Sequence, residues 1–353
     1  MRRRELLRLS LGTGSALVTG PGLASGSARG AGVDRAAQAV DLALAAPRGA
    51  SAAGWPAPLV PGSRIAALAP GTWLESGDDG LAVLRLRCEE QGWTLQTPRE
   101  LFGRWRWFSG SDAVRADALR RAWADSAVQA LFYVGAGWGS TRLLEQGFQV
   151  PPGPRWTVGF SDCSALLLAQ RAAGSLGAIH GWFGGDMPQW RRLAGLLRGE
   201  AVAPLQGRGH GTRLQGGHSH AAAVAEGPLM VSNLTIATSL IGTPWLPSLQ
   251  GCVLVLEDTG EAPYRIDRLL TQWRSSGLLR GVRGIGLGRF DWARDDILPG
   301  DFSMEEILLE RLALLGVPLV SGLAVGHGRP NLALPLGRRC RLDATAGTLT
   351  LLD

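Results

Sequence analysis

From Arg64 onward, short apolar runs alternate with stretches of helical spacing, and this alternation limits the fold more than any other feature of the chain. The run 65–69 (Ile-Ala-Ala-Leu-Ala) predicts a buried strand closed by a Pro-Gly turn. Leu81, Leu84 and Cys88 give 81–91 helical spacing, and 113–124 reads as a second helix. Strands are predicted at 128–134 and 157–160, with a helix starting at Ser161. Strands that alternate with helices pair in parallel, because a parallel crossover is long enough to hold a helix. The prediction is an α/β chain whose parallel sheet is covered on both faces, with ligands bound at the carboxyl ends of the strands. The pattern weakens from 186 to about 220 and then resumes. Helices are predicted at 232–241, 264–276 and 302–315. Strands are predicted at 253–256, 284–287 and 319–320, with short β segments at 332–334, 340–342 and 349–352. This divides the ordered chain into an N-terminal domain at 62–185, a link at 186–222 and a C-terminal domain at 223–353.

The front of the chain reads differently. Arg3-Arg4-Glu5-Leu6-Leu7-Arg8 has the form of a twin-arginine export signal, followed by a mildly apolar stretch at 9–24 and small residues at Gly26-Ser27-Ala28. We expect a signal peptide at 1–28, export to the periplasm or cell envelope, and a flexible linker at 29–61 rich in Ala, Gly and Pro. The alternative is a chance arginine cluster on a cytoplasmic protein. The apolar stretch is too short and too broken by glycine for stable membrane insertion.

Composition excludes several chemistries. All 36 basic residues are arginine, so the chain has no lysine for a P-loop, a pyridoxal Schiff base or a Ser-Lys hydrolase. Any base comes from the five histidines or from carboxylates. The four cysteines (Cys88, Cys163, Cys252, Cys340) form no C-x-x-C pair. His210, His218 and His220 cluster in a Gly-rich stretch without acidic or thiol companions, so a solvated linker is favoured over zinc and no metal site is assigned. No basic run in the body of the chain suggests nucleic acid as a partner. The loop from Gly135 to Gly139 is G-x-G-x-G, not the G-x-G-x-x-G of a dinucleotide fold, and no organic cofactor is implied.

Three positions carry candidate chemistry. Val158-Gly159-Phe160-Ser161-Asp162 places a serine at a strand-to-helix junction, where the following N–H can face an oxyanion. The other reading of Ser161 is a helix N-cap. Leu254-Val255-Leu256-Glu257-Asp258 ends an apolar strand in carboxylates, and Val325-Gly326-His327-Gly328 sets a histidine on a glycine-flanked loop. Surface pairing of Glu257 with Arg265 or Arg268, and an ordinary loop role for His327, are the alternatives. The order Ser, Glu, His permits a triad in which Ser161 attacks, His327 is the base and Glu257 orients it.

Further segments make the chain recognisable. They include Trp107-Phe108-Ser109-Gly110-Ser111-Asp112, Gly137-Trp138-Gly139-Ser140-Thr141-Arg142-Leu143-Leu144, Ala225-Glu226-Gly227-Pro228-Leu229 and Ser232-Asn233-Leu234-Thr235. Ser239-Leu240-Ile241-Gly242-Thr243-Pro244, Leu256-Glu257-Asp258-Thr259-Gly260-Glu261-Ala262-Pro263-Tyr264-Arg265-Ile266-Asp267-Arg268 and Gly322-Leu323-Ala324-Val325-Gly326-His327 complete the set. From about Arg64 to Asp353 the chain resembles the LD-carboxypeptidase family of serine peptidases that trim muropeptides, which also holds microcin C self-immunity proteins. The resemblance implies a flavodoxin-like N-terminal domain, a smaller C-terminal α/β domain and an active site between them. It implies Ser161 as nucleophile, Glu257 as acid and His327 as base, with an oxyanion hole from the N–H groups of Asp162 and Gly137. Asn233 and Trp138 are expected to touch substrate. The expected reaction removes terminal D-alanine from peptidoglycan tetrapeptides through an acyl-enzyme. An immunity-type amidase acting on peptidyl or aminoacyl nucleotides, and a non-catalytic binder of cell-wall fragments, are the alternatives; a homodimer is left open. Two segments depart from the family. Its Arg-Gly-Gly-Tyr-Gly loop reads Gly135-Ala136-Gly137-Trp138-Gly139 here, and its His-Gly-Pro-Met reads His180-Gly181-Trp182-Phe183.

Overall fold

The computed structural model describes residues 54–135, 137–184, 186–210, 223–292 and 300–352. The expected signal segment, most of the linker, Ala136, His218 and His220 lie outside the described residues.

The first sheet is built from β1 (Arg64–Leu68), β2 (Thr94–Gln96), β3 (Ala130–Tyr133), β4 (Trp156–Gly159) and β5 (Ala178–His180), all parallel in the order β2-β1-β3-β4-β5. This is the flavodoxin-like 2-1-3-4-5 arrangement. In β1, Ile65 and Ala67 enter one core, while Ala66 and Leu68 enter another on the opposite face. A strand buried on both faces needs apolar residues at successive positions, which is why β1 from Ile65 and β3 read as continuous apolar runs. Helices α1 (Asp79–Glu90), α2 (Asp112–Ala124) and α3 (Ser140–Glu145) follow β1, β2 and β3 respectively. Helix α4 (Ser164–Ala172) follows β4, and α5 (Met187–Leu197) follows β5. Asp78 and Ser111 cap α1 and α2 by accepting from Leu81 and Val114 N–H.

A second sheet of eight strands has at its centre β8 (Val224–Asn233), β9 (Val253–Thr259), β10 (Gly284–Asp291) and β11 (Leu319–Ser321), paired in parallel. Helices α6 (Leu234–Ser239), α7 (Pro263–Ser275) and α8 (Met304–Ala313) follow β8, β9 and β10. Antiparallel strands extend both sides: β13 (Arg339–Asp343), β14 (Thr348–Leu351) and β6 (Leu205–Gln206) beyond β8, and β7 (Arg208–His210) beyond β11. One core cluster joins the sheets. Leu166, Leu167 and Leu168 of α4 lie in it together with Leu229, Val253 and Leu256 of the second sheet. The short β12 (Leu334–Pro335), late in the chain, returns to the first sheet as an antiparallel edge beside β5. Proline is tolerated at such an edge, where its missing N–H costs no ladder bond.

Several predicted elements differ from the observed ones. Residues 232–233 end a ten-residue strand rather than begin a helix. Asn233 stops that strand and caps a helix reaching only Ser239, its Oδ1 accepting from Ile236 N–H. The predicted link is structured up to His210. Trp190, Leu193 and Leu197 of α5 are buried, and β6 and β7 join the second sheet. Order also begins before Arg64: Leu59 is buried, its N–H donates to Leu197 O, and Trp55 packs against Trp156. Among the described residues, no helix is long and apolar enough to cross a membrane.

Candidate active site

Strand β4 ends at Gly159. A Cβ at this position would meet Cys163 Cβ at 3.0 Å and Tyr133 Cδ2 at 3.1 Å, so any side chain here would crowd the turn. Phe160 is extended, and Ser161 follows with φ +57°. A left-handed non-glycine residue costs about 1–2 kcal/mol, and such strain concentrates at functional sites. The N-cap reading of Ser161 does not hold. Ser161 lies inside a short 3-10 turn (Ser161–Cys163), and the residue preceding α4 is Cys163.

Glu257 lies within β9, two residues before its end and one past the predicted strand, and is wholly buried. Two glycines leave room for its side chain. A Cβ on Gly326 would lie 2.6 Å from Glu257 Cβ and Oε2, and one on Gly288 would lie 3.1 Å from Glu257 Cβ. Gly288 falls where the β9–β10 register shifts, between Leu287 and Phe290. The loop after β11 carries His327. Gly326 N–H donates to Asn331 Oδ1 at 3.0 Å, and Arg289 donates to the carbonyls of Pro330 and Arg329 at 2.7 and 2.8 Å.

These elements bring the three predicted residues together. His327 Nδ1 is 2.8 Å from Glu257 Oε2, and His327 Nε2 is 3.0 Å from Ser161 Oγ. The His327 backbone N–H also reaches Glu257 Oε2, at 3.3 Å. Burial raises the Glu257 pKa, but the adjacent His180 imidazole and the hydrogen bond with His327 outweigh it and bring the carboxyl down to about 2. An ionised carboxylate only accepts, so His327 Nδ1 carries the proton and Nε2 is free to accept from the serine hydroxyl. Burial lowers the His327 pKa; the Glu257 carboxylate, with Asp258 and Asp291, reverses this and raises it above its ordinary value. Phe160 packs on His327 with ring centroids 4.9 Å apart and meets Trp182 edge-on at 5.3 Å.

The glycine loop lies beside the elbow. Gly137 has φ +88°, and a Cβ there would strike Thr72 Oγ1 at 2.3 Å, so the loop admits no side chain at that point. The buried Asp162 carboxylate accepts from Ser140 N–H at 2.9 Å and ties the serine turn to the start of α3. Burial raises the Asp162 pKa, against the hydrogen bonds from Ser140. Asp162 N–H falls in the first turn of a helix, where no intrahelical acceptor exists. An arginine does reach this loop, from elsewhere in the sequence: Arg115 of α2 donates to Gly139 O at 3.1 Å and to Pro70 O, and pairs with Asp112. Trp138 stands exposed on the loop. Asn233 is buried, its Oδ1 engaged by Ile236 and its Nδ2 donating to Asp258 Oδ1 at 3.1 Å. Arg265 pairs with Glu261 instead of Glu257, and His210 bonds Ser321 Oγ at 2.6 Å.

Sequence reasoning missed His180. It is wholly buried at the end of β5, with Nε2 3.6 Å from Glu257 Oε1. Its position on the strand next to β4 was the available signal.

In geometry this is a hydroxyl–imidazole–carboxylate series near the carboxyl ends of parallel strands of both sheets. The LD-carboxypeptidase N-terminal domain matches residues 65–181 and the C-terminal domain matches 226–342. A candidate carboxypeptidase of Synechocystis sp. is 37% identical over 307 residues, covering 84% of this chain and 97% of that protein. The murein tetrapeptide carboxypeptidase of Pseudomonas aeruginosa is 32% identical over 296 residues, covering 79% and 93%. Among solved structures, muramoyltetrapeptide carboxypeptidase from Oxalobacter formigenes has TM-score 0.67 at 24% identity, covering 82% of this chain and 98% of that one. A microcin C7 self-immunity protein bound to glutamyl sulfamoyl guanosine has TM-score 0.70 at 18% identity, covering 85% and 98%. The chain belongs to the LD-carboxypeptidase family and is a peptidase.

Proposed function

We propose that the protein is a serine L,D-carboxypeptidase that removes terminal D-alanine from muropeptide tetrapeptides. The observation that carries this reading is the unbroken hydrogen-bond series from Ser161 through His327 to Glu257, begun by a serine held in a left-handed turn. The name of the Pseudomonas aeruginosa relative supports the substrate class.

In this mechanism Ser161 Oγ attacks the scissile carbonyl beyond the L-centre of the diamino acid while His327 Nε2 takes its proton. Glu257 stays ionised and stabilises the imidazolium. The oxyanion rests on the N–H groups of Asp162 and Gly137. D-Alanine leaves with the proton from His327, and a water activated by the same nitrogen hydrolyses the acyl-enzyme. Trp138, exposed beside the oxyanion loop, contacts the peptide, and Asn233 supports the strand end that carries Asp258. We propose that the arginine-rich leader exports the enzyme.

One observation favours a second reading. The microcin self-immunity fold neighbour is bound to an aminoacyl-nucleotide analogue, and Trp138 offers a face on which a base stacks. Mass spectrometry of the enzyme quenched during turnover separates the two. A muropeptidyl adduct on Ser161 supports the carboxypeptidase. Turnover of a glutamyl nucleotide amide, with no muropeptide adduct, supports the amidase.

A further inference from the structure

The wholly buried imidazole of His180 has no task in the reaction as written. It ends β5, paired with Gly159 of β4 on one side and Leu334 of β12 on the other, with Phe160 edge-on at 6.3 Å. Neither ring nitrogen has a hydrogen-bond partner, and neither does Oε1 of Glu257, 3.6 Å from Nε2. Two buried polar groups that face each other unpaired are costly, and a closure of a few tenths of an ångström satisfies both. The other oxygen, Oε2, is already taken by the ring and the backbone N–H of His327.

We infer that His180 is a positioning residue whose Nε2–H donates to Glu257 Oε1, so that the carboxylate orienting His327 is held at both oxygens. The inference rests on the nucleophile–base–acid reading of the site. The terminal torsion of a glutamate is broad and roughly two-fold, so one imidazole alone leaves the carboxylate free to swing. A second donor on the opposite oxygen fixes Oε2 toward Nδ1, and with it the tautomer that leaves Nε2 open to Ser161. A donor at that oxygen also favours the ionised form of the buried carboxyl. The charged groups around the pair come from three elements: Asp258, coupled to Glu257 from β9; His327, on the loop after β11; and Asp291 on β10, which acts on His327.

The first test uses the wild-type protein with nitrogen-15-labelled histidine. We expect the His180 Nε2 resonance to be that of a protonated nitrogen in slow exchange. A bare Nε2 with the proton on Nδ1 overturns the inference. The second test compares His180→Leu, which removes the donor, with His180→Gln, which keeps one. The Leu variant should lose about ten- to a hundredfold in kcat with KM unchanged, the scale of an unsatisfied buried acceptor. The acid limb of its kcat/KM profile should move to higher pH, because a Glu257 freed of one donor holds the His327 proton more tightly. The Gln variant should recover most of the rate. A folded Leu variant with wild-type kcat and limb, or a Gln variant no better than Leu, overturns the inference; should the Leu variant not fold, the nitrogen spectrum and the Gln variant decide. Labelling of Ser161 in the wild type by a fluorophosphonate separates the two levels of argument. An unlabelled, inactive wild type removes the underlying reading, while a labelled, active one with an unprotonated Nε2 removes only this inference.

Discussion

Gly326→Ala is the substitution that bears hardest on the site geometry. Gly326 has φ +97°, and an added Cβ would lie 2.6 Å from both Cβ and Oε2 of Glu257. Two costs add. A non-glycine residue at positive φ loses about 1–2 kcal/mol. Forcing a methyl into a filled space costs about 1–3 kcal/mol more. The sum is roughly 2–5 kcal/mol, a large part of the total stability of a domain. Gly242 supplies the control: its φ is +82° and nothing lies within 4 Å of its would-be Cβ, so Gly242→Ala carries only the backbone cost. The variants should therefore differ by about 1–3 kcal/mol in denaturant unfolding, the cost of the clash alone. Turnover should separate them further. The carboxylate contacted by the new methyl is the one that holds His327 Nδ1, and a displacement of about 1 Å there costs about a hundredfold in kcat. Equal stability losses together with wild-type kcat in Gly326→Ala would refute the packing of Glu257 described here.

Four other outcomes are expected. Ser161→Ala and Ser161→Gly should both be inactive, but Gly should be the more stable by about 1 kcal/mol, because only Ala keeps the left-handed strain; the opposite order of denaturation midpoints contradicts the strained turn. Catalysis needs neutral His327, whose raised pKa puts the rising limb of kcat/KM above the ordinary 6.5, while Glu257, ionised down to about 2, adds no limb in the working range. The same shifts act on stability with opposite sign. The Glu257 contribution is complete above 4.5 and lost as pH falls toward about 2, and the His327 contribution is complete below 6.5 and lost as pH rises through its raised value; a pH series of unfolding free energies checks both. Trp138→Ala should raise KM with little change in folding stability, since the ring is 42% exposed, and an unchanged KM removes Trp138 from the substrate site.

The fold was legible where local pattern and tertiary role agree. Strands β1 and β3 are apolar at successive positions because both faces are buried, and α1, α2, α7 and α8 show plain helical spacing. The long strand β8 was misread at its end. Ser232 and Asn233 look like a helix start, and Asn233 is indeed a cap, but the sheet continues up to it. Strands β6 and β7 have two or three residues each and exist through partners distant in sequence, so no local pattern marks them. At the site, Ser161, Glu257 and His327 announce themselves by glycine-flanked or strand-end settings. His180 does not, because its neighbour Glu257 lies on the other sheet, and only the packing of the two sheets places them 3.6 Å apart.

The measurement that tests the central claim most directly is D-alanine release from a purified disaccharide tetrapeptide, comparing the wild type with Ser161→Ala. The account predicts release by the wild type and its loss in the variant, with the fold unchanged by circular dichroism. Undiminished release by Ser161→Ala, or none from a wild type whose Ser161 reacts with a fluorophosphonate, would contradict the nucleophile in the first case and the substrate in the second.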